Sequence, residues 1–105
     1  MDKYSIYITT PAEEDMNNIV KYIAFELLEP STAKKQIERL KGSILSLETM
    51  PERQPVINDE YLAVKGYRLI KVDNYLIFYR TDETKKAVYI IRVLSERRNW
   101  QAILK

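Results

Sequence analysis

The sequence contains no cysteine and no histidine, and only two of its 105 residues are glycine. Without cysteine the chain forms no disulfide and offers no thiolate nucleophile or thiolate metal site. Without histidine it lacks the side chain whose pKa best suits proton transfer near neutral pH, so catalysis needs another acid or base. Two glycines exclude a glycine-rich loop that cradles phosphate or a dinucleotide. We therefore expect no metal and no organic cofactor.

Long hydrophobic runs are also absent, since no apolar stretch approaches the roughly 20 residues of a membrane helix. The first residues, Met1 to Ile6, lack the basic segment and apolar core of a secretory signal. Hydrophobic residues make up 46% of the chain and charged residues 30%, a balance typical of globular proteins. We expect one domain over residues 1–105, cytoplasmic and without a membrane partner.

Charge is unevenly distributed along the chain, although the net charge is only +2. Residues 1–60 contain seven lysines and arginines against eleven acidic residues. Residues 61–105 contain ten against four. The basic half indicates an acidic protein partner or a nucleic acid, or simply a solvated surface.

Two helices are predicted in the first half, after a strand over residues 3–9. Thr10 supplies an N-cap oxygen, Pro11 suits the first helical position, and Glu13 completes a capping box. The apolar face of this helix comprises Ala12, Met16, Ile19, Val20, Ile23 and Leu27. A second helix follows Pro30 and runs to about Thr49, with an apolar face of Ala33, Ile37, Leu40, Ile44 and Leu47. The short break between them predicts an antiparallel helical hairpin.

Three short apolar runs within residues 64–94 predict an antiparallel meander after a polar connection over residues 51–63. The run from Tyr75 to Tyr79 is apolar on both faces and should be the central strand. The expected fold class is therefore α+β: an antiparallel sheet in β-αα-βββ order, a helical hairpin on one face, and a short C-terminal helix or tail.

Arginines recur along this meander and after it. In a regular strand Arg92 shares a face with Val88, Ile90 and Leu94, so it is either paired with a carboxylate or open to a ligand. Arg97 and Arg98 are adjacent and cannot both face inward. Trp100 either packs on the core or stacks on a base.

The acidic run Glu13, Glu14 and Asp15 lies in the first turn of the first predicted helix. Acidic side chains favour the helix dipole there, so we interpret the run as structural.

Several segments together resemble the RelE/ParE family of toxins from bacterial type II toxin–antitoxin modules. The resemblance is closer to the ParE-like branch of that family. The segments are Thr9 to Ala12, Met50-Pro51, Gly66 to Arg68, Tyr75 to Arg80, and Ile91 to Trp100. The resemblance covers nearly the whole chain. It implies a compact α+β fold and a small cognate antitoxin that wraps and neutralises the toxin.

The target divides this family. RelE-like members cleave mRNA on the ribosome with basic sheet residues, an arginine after the tyrosine of the central strand, and a C-terminal tyrosine or histidine. This chain has Leu76 after the tyrosine, Ser95 where many relatives carry histidine, and Trp100 as the late aromatic. If the chain is nonetheless a nuclease, the candidate catalytic residues are Arg68, Lys71, Arg92 and Arg97.

ParE-like members poison DNA gyrase, and the absence of proton carriers favours such a binding protein over an enzyme. The residues expected to bind the target or the antitoxin are Arg68, Arg80, Arg92, Arg97, Arg98 and Trp100. Two alternatives remain: a ribosome-dependent mRNA endoribonuclease, with the ribosome and mRNA as partners, and a non-toxic relative that only binds an antitoxin.

Overall fold

The computed structural model describes residues 3–105, and the secondary structure there alternates helical and extended segments as the hydrophobic pattern predicts. The strands are β1 (Ser5–Ile8), β2 (Arg68–Val72), β3 (Tyr75–Asp82) and β4 (Ala87–Ser95). The α-helices are α1 (Thr10–Lys21), α2 (Pro30–Leu45), α3 (Glu60–Val64) and α4 (Trp100–Leu104). A π-helical turn, Tyr22–Glu26, extends α1, and short 3-10 turns cover Ser46–Glu48 and Pro51–Arg53.

The sheet has the order β1-β4-β3-β2. Strands β2, β3 and β4 form the predicted antiparallel meander, with β3 inside the sheet. Strand β1 pairs with β4 in parallel, so the sheet is mixed where we expected it to be antiparallel throughout. The helical hairpin between β1 and the meander permits this pairing, because parallel strands need a long connection. The α+β fold class is confirmed.

The N-cap of helix α1 is Thr9, one residue earlier than the predicted cap, Thr10. The Thr9 hydroxyl, not that of Thr10, accepts the Ala12 amide at 3.4 Å, and Thr10 is already helical. The same Thr9 hydroxyl donates to the Ile90 carbonyl oxygen at 2.7 Å. Thr9 therefore caps the helix and ties its start to β4, and with this cap Glu13 does not occupy the capping-box position.

The predicted helical hairpin is confirmed, with most of its apolar faces buried. In α2 and the turn after it, Ala33, Leu40, Ile44 and Leu47 are buried. In the first arm Ala12, Met16 and Ile23 are buried, but Leu27 is 51% exposed because the chain has already left the helix there.

The sheet is covered on both faces. The hairpin packs on one face, where buried residues of α1 and α2 meet Ile77, Tyr79, Ile90 and Val93. On the other face Leu76, Phe78 and Leu94 pack with Leu62 of α3 and Leu104 of α4. The connection over residues 51–63, predicted to be polar and irregular, thus contains a helix whose one buried apolar residue, Leu62, helps to close the second core.

Strand β4 is not regular, which corrects the predicted side-chain alternation. Its register against β3 shifts between Phe78 and Tyr79, whose partners are Arg92 and Ile90. Ile91 is therefore the extra residue of a β-bulge. As a result Val93 joins Val88 and Ile90 on the hairpin face, while Leu94 lies on the opposite face. Because the bulge directly precedes Arg92, the two-residue alternation of a regular strand does not predict which face of the sheet Arg92 occupies.

Candidate functional site

A cleft of about 640 Å³ opens between the helical hairpin and the end of the sheet where β3 begins and β4 ends. One wall is formed by α1 and the π-helical turn that extends it, with Asp15, Ile19 and Tyr22. The facing wall comprises Asn74, Tyr75, Val93, Leu94 and Ser95, followed by Arg97 and Arg98. Apolar side chains therefore lie beside a cationic rim, a lining that suits a ligand with both apolar and acidic groups.

Asp15, which lines the cleft, forms a bidentate ion pair with Arg92, the residue before Val93 of the facing wall. Arg92 Nε donates to Asp15 Oδ2 at 2.6 Å and Nη2 donates to Oδ1 at 2.8 Å. The Asp15 side chain is 8% exposed and that of Arg92 is 26% exposed. The hydrogen bonds from Arg92 to Asp15 raise the pKa of Arg92 further above its ordinary value. Arg92, predicted to be either paired or open to a ligand, is paired within the chain.

Asp15 accepts a third hydrogen bond, from the backbone amide of Val93 at 3.0 Å. Val93 directly follows Arg92 at the bulge of β4. One carboxylate thus compensates both a guanidinium and a backbone amide of the irregular strand, because each of these donors would be costly to bury alone.

Arg68 lies at the other end of the sheet and holds the connection after α2. Its guanidinium donates to the backbone carbonyl oxygen of Gln54 and lies 3.8 Å from a Glu52 oxygen. Its side chain is 17% exposed, and its Nε is buried without a partner among the described residues. The guanidinium of Arg68 is therefore engaged with residues of its own chain, Gln54 and Glu52.

Lys71 and Arg80 also have internal contacts. Lys71 pairs with Glu96 at 2.9 Å, on the exposed side of β2. The guanidinium of Arg80 lies over the ring of Tyr89, 4.4 Å from its centroid, as in a cation–π contact.

Arg97 and Arg98 are exposed in the turn after β4, and neither forms an ion pair with any residue of 3–105. The turn fixes their backbone, since the Arg98 amide donates to the Ser95 carbonyl oxygen at 3.0 Å and the Arg97 amide to the Ser95 hydroxyl at 3.3 Å. Trp100 packs on Phe78, with ring centroids 5.3 Å apart. Of the predicted site residues, only Arg97 and Arg98 line the cleft. The others lie outside its lining: Arg68, Lys71, Arg80, Arg92 and Trp100.

The sequence interpretation did not assign Asp15 to a site, although a signal was present. Asp15 is three residues after buried Ala12 and directly before buried Met16, so it falls within the apolar stripe of α1. A carboxylate in that stripe needs a buried donor, and Arg92 is the residue that supplies it.

A second unassigned feature is the hairpin tip, defined here as Tyr22, Phe25, Leu27 and Leu28. These side chains are 51% to 80% exposed. Tyr22 and Leu27 also line the cleft, so the exposed apolar surface of the tip continues into it.

Neither Tyr75, which lines the cleft, nor the buried Tyr79 is well suited to proton transfer at neutral pH. Burial raises the pKa of Tyr75 above its ordinary value, and the nearby Tyr22 contributes a smaller increase. Burial also raises the pKa of Tyr79, whose hydroxyl donates to the Pro51 carbonyl oxygen at 2.7 Å. Within residues 3–105 no group of three or more acidic side chains is placed to hold a metal ion. None of the helices there has the length and hydropathy needed to span a membrane.

Solved structures of bacterial toxins share this fold. The chain is similar to a chromosomal ParDE toxin–antitoxin system from P. aeruginosa, with a TM-score of 0.72 and 19% identity over 89% of this chain and 96% of that one. It is also similar to the RelBE2 toxin–antitoxin complex of Mycobacterium tuberculosis, with a TM-score of 0.62 and 23% identity over 90% and 93%. A mutant of the E. coli toxin RelE in the free state gives a TM-score of 0.68 and 13% identity over 96% and 92%. At these identities the likeness establishes the fold.

The sequence assigns the family. Residues 6–100 match the family described as the ParE toxin of the type II toxin–antitoxin system, parDE. No curated protein is a significant sequence match. Since the family match spans nearly the whole chain, the protein belongs to the ParE toxin family within the RelE/ParE fold.

Proposed function

We propose that this protein is the toxin of a type II toxin–antitoxin pair that arrests growth by binding and poisoning DNA gyrase in the cytoplasm. The observation that carries the proposal is the Arg92–Asp15 pair, because it commits the arginine beside the cleft to a structural contact. Family membership supports the same function. A gyrase poison needs a binding surface and no acid–base constellation.

The other charged groups are consistent with binding rather than cleavage. Arg68 and Lys71, two of the catalytic candidates, bond to Gln54 and Glu96 of the same chain. The chain has no histidine, and burial raises the pKa of Tyr75. A ribonuclease mechanism needs a group that gains and loses a proton near neutral pH, and these residues do not supply one.

The surface proposed for protein partners combines the cleft, Arg97 and Arg98 with the exposed hairpin tip. An acidic segment with apolar side chains would match it, since its carboxylates reach the two arginines while its apolar groups cover Leu27 and Leu28. We propose that a cognate antitoxin binds this surface and blocks access to gyrase.

The test is a supercoiling assay with purified toxin and gyrase. We expect reduced supercoiling and accumulation of cleaved DNA, and both effects should be suppressed by the protein product of the neighbouring reading frame. The R97A/R98A double variant should weaken inhibition, whereas K34A/K35A, which removes two adjacent lysines of α2, should not. Unchanged supercoiling and no cleaved DNA at saturating toxin would rule out gyrase as the target.

A ribosome-dependent mRNA endoribonuclease is the second candidate, and the exposed arginines at the cleft rim favour it. Induced expression separates the two: cleaved mRNA with intact supercoiling supports the ribonuclease, and the reverse supports gyrase poisoning. Expression without its neighbour and without growth arrest would instead support a non-toxic antitoxin-binding relative.

A further inference from the structure

The cleft has much of what a single-stranded nucleic acid would need. Tyr22 and Tyr75 offer aromatic rings, Asn74 offers an amide, and Arg97 and Arg98 offer charge. Aromatic stacking combined with a cationic groove is the usual mode of single-strand binding. The feature that does not fit is Asp15, a carboxylate in the same wall.

Asp15 changes the charge of this wall in two ways. Its two oxygens take the Nε and Nη2 donors of Arg92, the same fork that would hold a phosphate. Its negative charge also cancels that of Arg92, so a phosphate placed there would meet a neutral pair and a nearby carboxylate. The charge that remains open in the cleft comes from the two rim arginines.

The pair is also held firmly. Asp15 is 8% exposed and accepts the Val93 amide as well, so releasing Arg92 would leave the carboxylate without its charged partner in a nearly closed site. An incoming phosphate would have to displace this arrangement rather than rotate a free side chain.

We propose that Asp15 determines the ligand class of the cleft by keeping nucleic-acid phosphate away from Arg92. This inference deepens the proposed function and rests on it in one respect: a toxin acting on a protein target benefits from a cleft that RNA does not fill. An RNA strand presents a charge at every nucleotide and depends on several cations, whereas a protein segment with one or two carboxylates is matched by Arg97 and Arg98.

The test compares binding of a fluorescein-labelled single-stranded RNA by the wild type and by D15N over a range of salt concentrations. Asn keeps an oxygen for the Val93 amide but removes the charge that neutralises Arg92. We expect D15N to bind the RNA about tenfold more tightly at low salt. The slope of log affinity against log salt should steepen by about 0.7, as one further phosphate contact requires.

The matched control is E14Q. Glu14 is exposed, adjacent in sequence, and also favours the charged form of Arg92, so E14Q makes the same net charge change without opening the pair. We expect E14Q to change affinity by less than about threefold, with little change in slope. Equal effects of D15N and E14Q would overturn the proposal, because net charge alone would then explain the gain.

One further variant identifies the arginine that responds. D15N/R92Q replaces the neutral ion pair by two neutral side chains, so it should return to wild-type RNA affinity within about twofold. A clear loss of RNA binding in D15N/R92Q relative to the wild type would show that the wild-type Arg92 already contacts phosphate, and would overturn the proposal even if D15N alone failed to fold.

These measurements do not involve gyrase. A protein without effect on supercoiling but with the expected RNA-binding pattern would refute the proposed function and leave the role of Asp15 intact. Normal gyrase poisoning with equal RNA affinity in wild type and D15N would do the opposite.

Discussion

Among residues 3–105, two arginine–aspartate pairs are bidentate, and their settings differ. Arg92 and Asp15 join β4 to α1 with side chains 26% and 8% exposed. Arg39 and Asp73 join α2 to the β2–β3 turn at 2.8 and 3.0 Å, but their side chains are 63% and 38% exposed. The geometry of the two pairs is similar, so burial decides what each contributes. The buried pair fixes a bulge and the charge of a cleft, while water screens the exposed pair.

The largest expected effect comes from breaking the buried pair. D15A leaves Arg92 and the Val93 amide without their acceptor, and should lower the free energy of unfolding by about 3 kcal/mol. Urea denaturation monitored by circular dichroism measures the loss, with E14A as the neighbouring exposed control. A loss no larger than that of the exposed pair would show that burial is not the deciding factor.

Arginines without an internal partner should affect binding rather than stability. R97A/R98A should change the free energy of unfolding by less than about 0.5 kcal/mol. The same variant should weaken association with the antitoxin or the target about tenfold, more so at low salt. Calorimetric titration at two salt concentrations measures this, and an unchanged affinity would remove the two residues from the interface.

The buried hydrogen bond of Tyr79 joins two uncharged groups, so it tests whether burial makes a contact important for stability when no ion pair is involved. Y79F removes the hydrogen bond from the Tyr79 hydroxyl to the Pro51 carbonyl oxygen and should cost about 1 kcal/mol at neutral pH. Because burial raises the folded-state pKa of Tyr79, its contribution is complete below the unfolded pKa of about 10 and declines as pH rises toward the folded value.

Denaturation midpoints of wild type and Y79F against pH measure this alkaline effect. The difference between the two proteins should shrink above pH 10 or so. A constant difference across the alkaline range would argue against a perturbed Tyr79.

The smallest effect is expected at the exposed pair. Hydrogen bonds from Arg39 and then Gln36 lower the pKa of Asp73, so its contribution is present above the ordinary carboxyl pKa and is lost as pH falls through the folded value. D73N suits the left-handed backbone at this position, where φ is 55°. Wild type and D73N should differ slightly at neutral pH and converge in acid, as midpoints at several pH values will show. A midpoint shift for D73N as large as that of D15A would contradict the view that the buried pair contributes more to stability than the exposed one.

Much of the fold could be predicted from local pattern. The stripe predicted for the second helix recurs at helical spacing and comprises Ala33, Ile37, Leu40, Ile44 and Leu47. All are buried except Ile37, which is half-buried, and Leu47 lies in the turn after α2. The apolar segment from Tyr75 to Tyr79 is likewise the interior strand with cover on both faces. Such patterns are visible because the period of a helix or strand relates residues that are close in the chain.

The site could be predicted only in part. Arg97 and Arg98 were expected not to face inward together, and both lie exposed at the cleft rim, while their binding of a partner stays a prediction. The face of Arg92 was not predictable, because the bulge at Ile91 breaks the two-residue period on which the prediction rested. Nor did any local pattern show that β1 would pair in parallel with β4.

Composition and local pattern were enough to establish the lack of histidine and cysteine, the helical hairpin, the central strand and the basic second half, because each depends only on residue counts or on neighbours in the chain. Tertiary structure alone decided which cations remain open. Asp15 and Arg92 are 77 positions apart, and only folding brings them to 2.6 Å. That contact neutralises Arg92 beside the cleft, whereas Arg97 and Arg98, in the turn after β4, are exposed at the cleft rim.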